Sequence, residues 1–179
     1  MFLIGYMASG KTTLGKALAS RLGKTFIDLD EFIEKKAAMT VKDFFALHGE
    51  HEFRKLEKKS LHEAADIPNA IIACGGGTPC FFDNIDFINQ RGNSIFLEAS
   101  IDVLLRRLLD GNASRPLVAG KTPQQIKATI EQHLQQRLPF YRRAKISFNS
   151  DSLESLEQIN ESVEKLIKAY PFVFSKPFI

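Results

Sequence analysis

Cysteine is scarce: Cys74 and Cys80, both inside "CGGGTPC", are the two that the chain carries. A structural zinc site needs about four ligands, and no second Cys pair exists to complete one. The two read as reduced thiols of a cytosolic protein. Charge of one sign is also lacking. The 24 Lys+Arg against 21 Asp+Glu leave a net +3, too little for a concentrated stripe that would grip nucleic acid or a membrane surface. A small anionic ligand suits that balance better. No apolar run approaches the roughly 20 residues of a bilayer span, and no basic leader with an apolar segment precedes "FLIGY". A soluble, cytoplasmic protein is expected. Internal repeats and low-complexity segments are absent too. With 44% hydrophobic side chains, the 179 residues suffice for one well-buried core and are too few for two ordinary domains. The reading is therefore one domain over 1–179.

What is present alternates in type. The short apolar runs "FLIGY", "TFIDLD", "AIIACGG", "SIFLEA" and "KISFNS" are separated by segments of helical period, including "DEFIEKKAA", "TVKDFFALHG" and "EFRKLEKKSLHEAA". Continuous Ile/Phe/Leu runs that each feed a helix predict an α/β fold: a five-stranded parallel sheet with helices on both faces. "DGNASRPLVAGKTP", residues 110–123, is rich in Gly, Pro and small polar residues and reads as a mobile loop between helices. The tail "YPFVFSKPFI" carries two prolines that discourage a helix, and is expected to lie against the domain or a neighbour without chemistry of its own.

The richest stretch is "GYMASGKT", Gly5 to Thr12, which fits G-x-x-x-x-G-K-[ST] between a predicted strand and a predicted helix. Backbone N–H groups of Ala8, Ser9, Gly10, Lys11, Thr12 and Thr13 are expected to line one concavity at a helix N-terminus. There, orphan donors and the helix dipole favour a nucleotide's phosphates. Lys11 brings a point charge for the β- and γ-phosphates and Thr12 a hydroxyl for Mg²⁺. The competing reading is a glycine-rich turn that happens to carry a lysine.

Other polar residues allow two readings each. In "DLD", an extended backbone places Asp28 and Asp30 on one side of the sheet near its carboxyl end, where ligands bind. Asp30 could meet an acceptor hydroxyl and Asp28 a Mg²⁺-bound water, or Asp30 could simply cap the next helix. Arg54 and Glu57 lie three apart, so Glu57 either fixes a functional guanidinium or forms a solvated ion pair. His48 and His51 suggest a metal or, more plainly, a solvated helix face. Gly75, Gly76 and Gly77 suit a close approach to backbone N–H groups, or a tight turn before Pro79. Arg115, inside the 110–123 loop, could close over a transferring phosphate. Arg137, in "RLPFYRR", reads as a ligand-binding arginine or a surface charge near a helix end.

Taken in order, "GYMASGKT", "DLD", "GEHEFRKLE", "GGG", "RPL" and "RLPFY" resemble the shikimate kinase family, from residue 2 to about 168. The resemblance implies a P-loop, three-layer α/β/α fold of the nucleoside monophosphate kinase group, with a helical substrate-binding segment at about 31–64 and a lid at about 110–123. It implies transfer of the γ-phosphoryl of ATP, with Mg²⁺, to the 3-hydroxyl of shikimate, on the way to chorismate and the aromatic amino acids. By the same likeness Lys11 and Thr12 serve ATP and Mg²⁺, Asp30 meets the acceptor, and Arg54 and Arg137 hold its carboxylate. Gly76 and Gly77 offer backbone donors, and Arg115 is the lid arginine. A monomer without nucleic-acid or membrane partners is expected. Two departures stand out. Ala8 occupies a position where many members have glycine, which is tolerable only if its φ is negative, and the likeness does not say whether Arg106 or Arg107 faces the base.

Three alternatives compete with this reading. A gluconate or nucleotide kinase of the same fold is disfavoured because two arginines suit a carboxylate, whereas a nucleotide acceptor needs base-reading groups. A GTPase switch lacks its N/T-K-x-D motif. A non-enzymatic nucleotide-binding module would not need Asp30, Arg54 and Arg137 together.

Overall fold

A computed structural model describes residues 1–110 and 120–174. At its centre lies β1 (Phe2–Ile4), buried along its whole length. It pairs in parallel with β3 (Ala70–Ala73) on one side and β4 (Ser94–Glu98) on the other. β2 (Thr25–Asp28) adds outside β3 and β5 (Ile146–Asn149) outside β4, giving the order β2-β3-β1-β4-β5 with every pairing parallel. This is the predicted sheet. β3 is buried at all its positions, as expected of an apolar run covered on both faces.

Strand alternation sends Phe2 and Ile4 to one face and Leu3 to the other, and each face has its own core. Phe2 and Ile4 share theirs with Leu61, Ile85, Leu104 and Ile130. These come from α3 (Val41–Ala65), α4 (Asn84–Arg91), α5 (Ile101–Asp110) and α6 (Pro123–Tyr141). Leu3 meets Leu14, Leu18, Val163 and Leu166 from α1 (Lys11–Leu22) and α7 (Leu156–Ala169). Each such buried aliphatic side chain contributes about 1.5–3 kcal/mol. The result is the expected three layers. Gly15 lets α1 close onto the sheet, since a Cβ there would lie 2.5 Å from the Phe26 ring and 2.9 Å from Leu3.

The chain leaves β2 through a sharp change. Asp28 is the N-cap of α2 (Leu29–Ala37), its carboxylate accepting from the Asp30 amide. The expectation that Asp28 and Asp30 share an extended strand is thus wrong: the strand ends at Asp28, and Asp30 stands in the first helical turn. An Asp at an N-cap satisfies an otherwise orphaned N–H, which starts a helix as soon as the strand ends. In α3 the backbone breaks at Gly49 (φ 78°, ψ 171°). The break separates the two helical segments read from the sequence, and it removes the continuous helix on which His48 and His51 would share a face. Among the described residues, no group of three or more His, Cys, Asp or Glu forms a candidate metal cage.

The described part of the tail, up to Phe174, also corrects an expectation, and residues 175–179 lie outside the described residues. Pro171 opens a short helix, α8 (Pro171–Phe174), and Phe174 packs into the second core. Proline is tolerated at the first helical position because its missing N–H would be unpaired there anyway. Among the described residues, no helix is long and apolar enough to cross a membrane.

Candidate active site

β1 delivers the chain into the glycine-rich loop at the carboxyl end of the sheet, between β3 and β4. That is where the strand order reverses and where open α/β sheets bind ligands. Two glycines hold positions no side chain would fit. Gly5 has φ 143°, and a Cβ on it would lie 2.6 Å from the Leu97 carbonyl oxygen; Gly10, the N-cap of α1, has φ 91° and would meet Leu153 at 2.4 Å. Ala8 was expected at negative φ and instead has φ 63°. This left-handed conformation costs an alanine about 1–2 kcal/mol. Arg107 Nη1 holds the turn by donating to the Ala8 carbonyl at 3.3 Å. The expected row of inward N–H donors also has an exception, because the Ser9 amide donates to the Tyr6 carbonyl at 3.2 Å and closes the loop on itself.

Lys11 reaches back across the loop, its Nζ donating to the Gly5 and Tyr6 carbonyls at 2.9 and 2.8 Å. Thr12 Oγ1 donates to Asp28 Oδ2 at 2.9 Å, which joins the two residues expected near Mg²⁺. Two clefts meet at this loop. One, of about 300 Å³, is bounded by Gly10, Thr13, Arg107 and Leu153. The other, of about 450 Å³, is bounded by Asp28, Asp30, Gly75 and Gly76. Ala8, Lys11 and Thr12 line both. The loop is therefore a wall common to two ligand-sized spaces.

Gly75 and Gly76 line the second cleft, and the glycine triplet that continues to Gly77 meets three charged side chains. A Cβ on Gly75 would lie 2.8 Å from Asp30 Oδ1, one on Gly76 3.5 Å from Arg137 Nη1, and one on Gly77 2.8 Å from both terminal nitrogens of Arg54. Asp30 and both arginines therefore face three consecutive residues. Arg54 is held from its own helix: Nη1 donates to Glu57 at 2.8 Å, and Nε and Nη2 to Glu50 at 3.3 and 3.1 Å. Glu57 is only 1% exposed and also accepts from Thr78 Oγ1 at 2.5 Å. The solvated-pair reading of Arg54 and Glu57 therefore fails, since a buried carboxylate with this many donors is part of a fixed network. Arg137 lies 5.5 Å from the Tyr6 ring, whose hydroxyl pairs with His133 Nδ1 at 2.9 Å. Tyr141 donates to the Gly76 carbonyl at 2.5 Å and so steadies the triplet.

Asp30 lies on the cleft wall with part of its surface still open to water. The concave surroundings strip hydration from its carboxyl, and Asp28 and Glu57 add negative charge. Together, against the pull of Lys11, they push its pKa up from 3.8 to about 6. Burial likewise raises the Cys74 thiol, and neither cysteine forms a disulfide.

Sequence reasoning left Arg106 and Arg107 undistinguished. Arg107 lies three residues after buried Leu104 and beside buried Leu108, on the inner side of α5. It donates to the Ser150 and Asp151 carbonyls at 3.0 and 3.1 Å and to Glu154 at 2.9 Å, while Arg106 pairs with Glu154 at 2.8 Å from an exposed position. The helical period held that signal. Arg115 lies outside the described residues.

The chain matches the shikimate kinase family over residues 7–169. It is 48% identical over 168 residues to the shikimate kinase of Phocaeicola vulgatus, covering 94% of this chain and 96% of that one. Its fold superposes with a TM-score of 0.93 on the crystal structure of shikimate kinase from Bacteroides thetaiotaomicron, at 46% identity and over 95% and 97% of the two chains. Shikimate kinase from Acinetobacter baumannii, solved in complex with shikimate, superposes with a TM-score of 0.81 at 30% identity, over 96% and 92% of the chains. Sequence and fold agree over nearly the whole length, and this protein belongs to the shikimate kinase family.

Proposed function

We propose that this chain transfers the γ-phosphoryl group of ATP to the 3-hydroxyl of shikimate, forming shikimate 3-phosphate and ADP. The observation that carries the reading is the second cleft. It shares Lys11 and Thr12 with the nucleotide side, and its glycine triplet faces a raised-pKa carboxylate and two arginines. ATP occupies the Arg107 side, with its phosphates over the loop. The acceptor acid fills the other cleft, its carboxylate gripped by Arg54 and Arg137 and the amides of Gly76 and Gly77. Guanidinium forks match a carboxylate bidentately.

In the reaction the acceptor oxygen attacks the γ-phosphorus, the bond from that phosphorus to the β-bridging oxygen breaks, and ADP leaves. The hydroxyl proton passes to Asp30, whose pKa near 6 keeps it a base at neutral pH while still suited to accept a proton. Lys11 stabilises charge on the transferring group, and Arg115 supplies a second positive charge to it. The Thr12 and Asp28 oxygens are the hard donors Mg²⁺ prefers, a metal that uses one or two protein ligands alongside phosphate oxygens. Mg²⁺ bound there supplies neutralisation of phosphate charge. The helical segment at about 31–64 holds the acceptor. All these groups come from one chain, so a monomer working in the cytoplasm, where ATP is supplied, suffices.

The test is ADP release with ATP and Mg²⁺ over shikimate, quinate, gluconate, AMP and CMP. Shikimate is expected to stimulate strongly and the others weakly. Equal stimulation by AMP or gluconate would overturn the reading. Gly77→Ala offers a sharper check. Gly77 has ordinary helical dihedrals (φ −88°, ψ −21°), so the backbone accepts alanine, but the new methyl falls on the Arg54 guanidinium. Melting temperature is expected to hold while KM for shikimate rises about 3–10-fold, the scale of a weakened charge-assisted contact. An unchanged KM would place Arg54 away from the acceptor.

A further inference from the structure

We infer that Phe81 is a positioning residue whose ring face sets the plane of the Arg54 guanidinium, and through it the affinity for the acceptor's carboxylate. The inference rests on the proposed role of Arg54 and goes beyond it. Arg54 Cζ lies 4.0 Å from the centre of the Phe81 ring, against 5.3 Å from Phe53 and 5.7 Å from Phe45. At that distance the cation rests in van der Waals contact with the π-face, and the Arg54 side chain is only 12% exposed, so little water screens the attraction. Phe81 is half-buried, yet among the described residues it joins neither hydrophobic core. Core packing does not account for an aromatic ring there.

The donors of Arg54 show what the ring adds. A guanidinium has five N–H donors in one plane. Glu57 and Glu50 engage one each on Nη1, Nη2 and Nε. The remaining Nη1 and Nη2 donors lie in the same plane, so a carboxylate can meet both only if the tilt of that plane is held. Hydrogen bonds along the edge leave rotation about that edge soft. A ring stacked on the face removes the freedom without competing for any donor.

The backbone around Phe81 is arranged to deliver it. Just before it, the 3₁₀ turn Thr78–Cys80 is closed by the Cys80 amide donating to the Gly77 carbonyl at 2.8 Å. Just after it, buried Asn84 donates from Nδ2 to the Thr78 carbonyl at 2.8 Å, and its amide donates to the Phe81 carbonyl at 3.2 Å. Between these anchors Phe82 takes φ 51° and is 51% exposed. A bulky aromatic residue at positive φ is strained, and such strain persists where the surroundings enforce it for a purpose. Lys58 lies 5.5 Å from the Phe82 ring and pairs with Asp83, pinning the turn to the helix that carries Arg54. The strained residue thus projects outward while its neighbour Phe81 faces Arg54.

The experiment compares the parent with Phe81→Leu, Phe81→Tyr and Arg54→Ala, measuring kcat, KM for shikimate, KM for ATP and melting temperature. Phe81→Leu is expected to raise KM for shikimate about 3–10-fold, with kcat and KM for ATP near parent values. Phe81→Tyr, which keeps the π-face, is expected to restore KM to within about twofold of the parent. Should Phe81→Leu fail to fold, pentafluorophenylalanine at position 81 keeps the ring's shape and reverses its quadrupole, and the same rise in KM is expected. Parent-like KM in the leucine and pentafluoro variants, or equal impairment by leucine and tyrosine, would overturn the inference. If Arg54→Ala raises KM while the Phe81 variants do not, only the Phe81 role falls. If Arg54→Ala leaves KM unchanged, the carboxylate-clamp reading falls and the Phe81 role with it.

Discussion

Asp30→Asn is expected to lower kcat with shikimate by about 10²–10⁴-fold, the usual contribution of a positioned base, while ATP still binds. Asparagine keeps the size and the helix-start position but cannot take the hydroxyl proton. The raised pKa gives the parent a signature as well. In the free protein Asp30 holds its proton up to about pH 6 instead of 3.8, so kcat/KM is expected to fall as pH drops through about 6. The same shift affects stability. Between pH 3.8 and about 6 the folded chain binds this proton more tightly than the unfolded chain does. The contribution of Asp30 to stability is therefore greatest below that window and falls as pH rises through it. Because Asp30 is partly open to water, screening keeps the penalty small. Asp30→Asn is thus expected to melt slightly higher than the parent at pH 7 while being nearly inactive. An asparagine variant with parent turnover would reduce Asp30 to a residue of the first helical turn and nothing more.

Lys11→Ala is expected to cost about 10²–10³-fold in turnover, the scale of losing one preorganised charge at a transition state. Lys11 borders both clefts and rests on the Gly5 and Tyr6 carbonyls. Its charge is thus held at the loop mouth before any nucleotide arrives, and little rearrangement is needed to meet the transferring phosphoryl. The Ser9 amide still donates to the Tyr6 carbonyl and closes the loop when the side chain is removed, so far-ultraviolet circular dichroism and melting temperature are expected to stay near parent values. Turnover within tenfold of the parent would remove Lys11 from the chemistry.

The parts of this molecule that were legible in the sequence are those written in local periodicity. The apolar runs that became β1 and β3 could be read because strands covered on both faces need no polar alternation, and the phosphate loop because only glycine suits Gly5 and Gly10. "DLD" was misread at its last residue: capping by Asp28 starts a helix one step sooner than strand propensity suggests. The φ of Ala8 was misjudged because the demand of the loop's path outweighs an alanine's local preference. The pairing of Gly75, Gly76 and Gly77 with Asp30, Arg137 and Arg54 joins residues from three separate elements, and no local pattern encodes it. The same holds for Phe81, since nothing in "TPCFFDN" indicates which phenylalanine turns inward.

The measurement that tests the account most directly is a double-mutant cycle on Arg54 and Arg137, read as KM for shikimate and, separately, affinity for ATP without acceptor. Each single change to alanine is expected to raise KM about tenfold or more, the cost of a lost charge-assisted contact of about 1.5–3 kcal/mol. The double variant is expected to lose less than the two single losses combined, because both arginines grip one carboxylate, and ATP affinity is expected to hold throughout. Strict additivity, with ATP affinity falling as much as KM for shikimate rises, would contradict a shared acceptor site and assign the two arginines to the nucleotide or the fold.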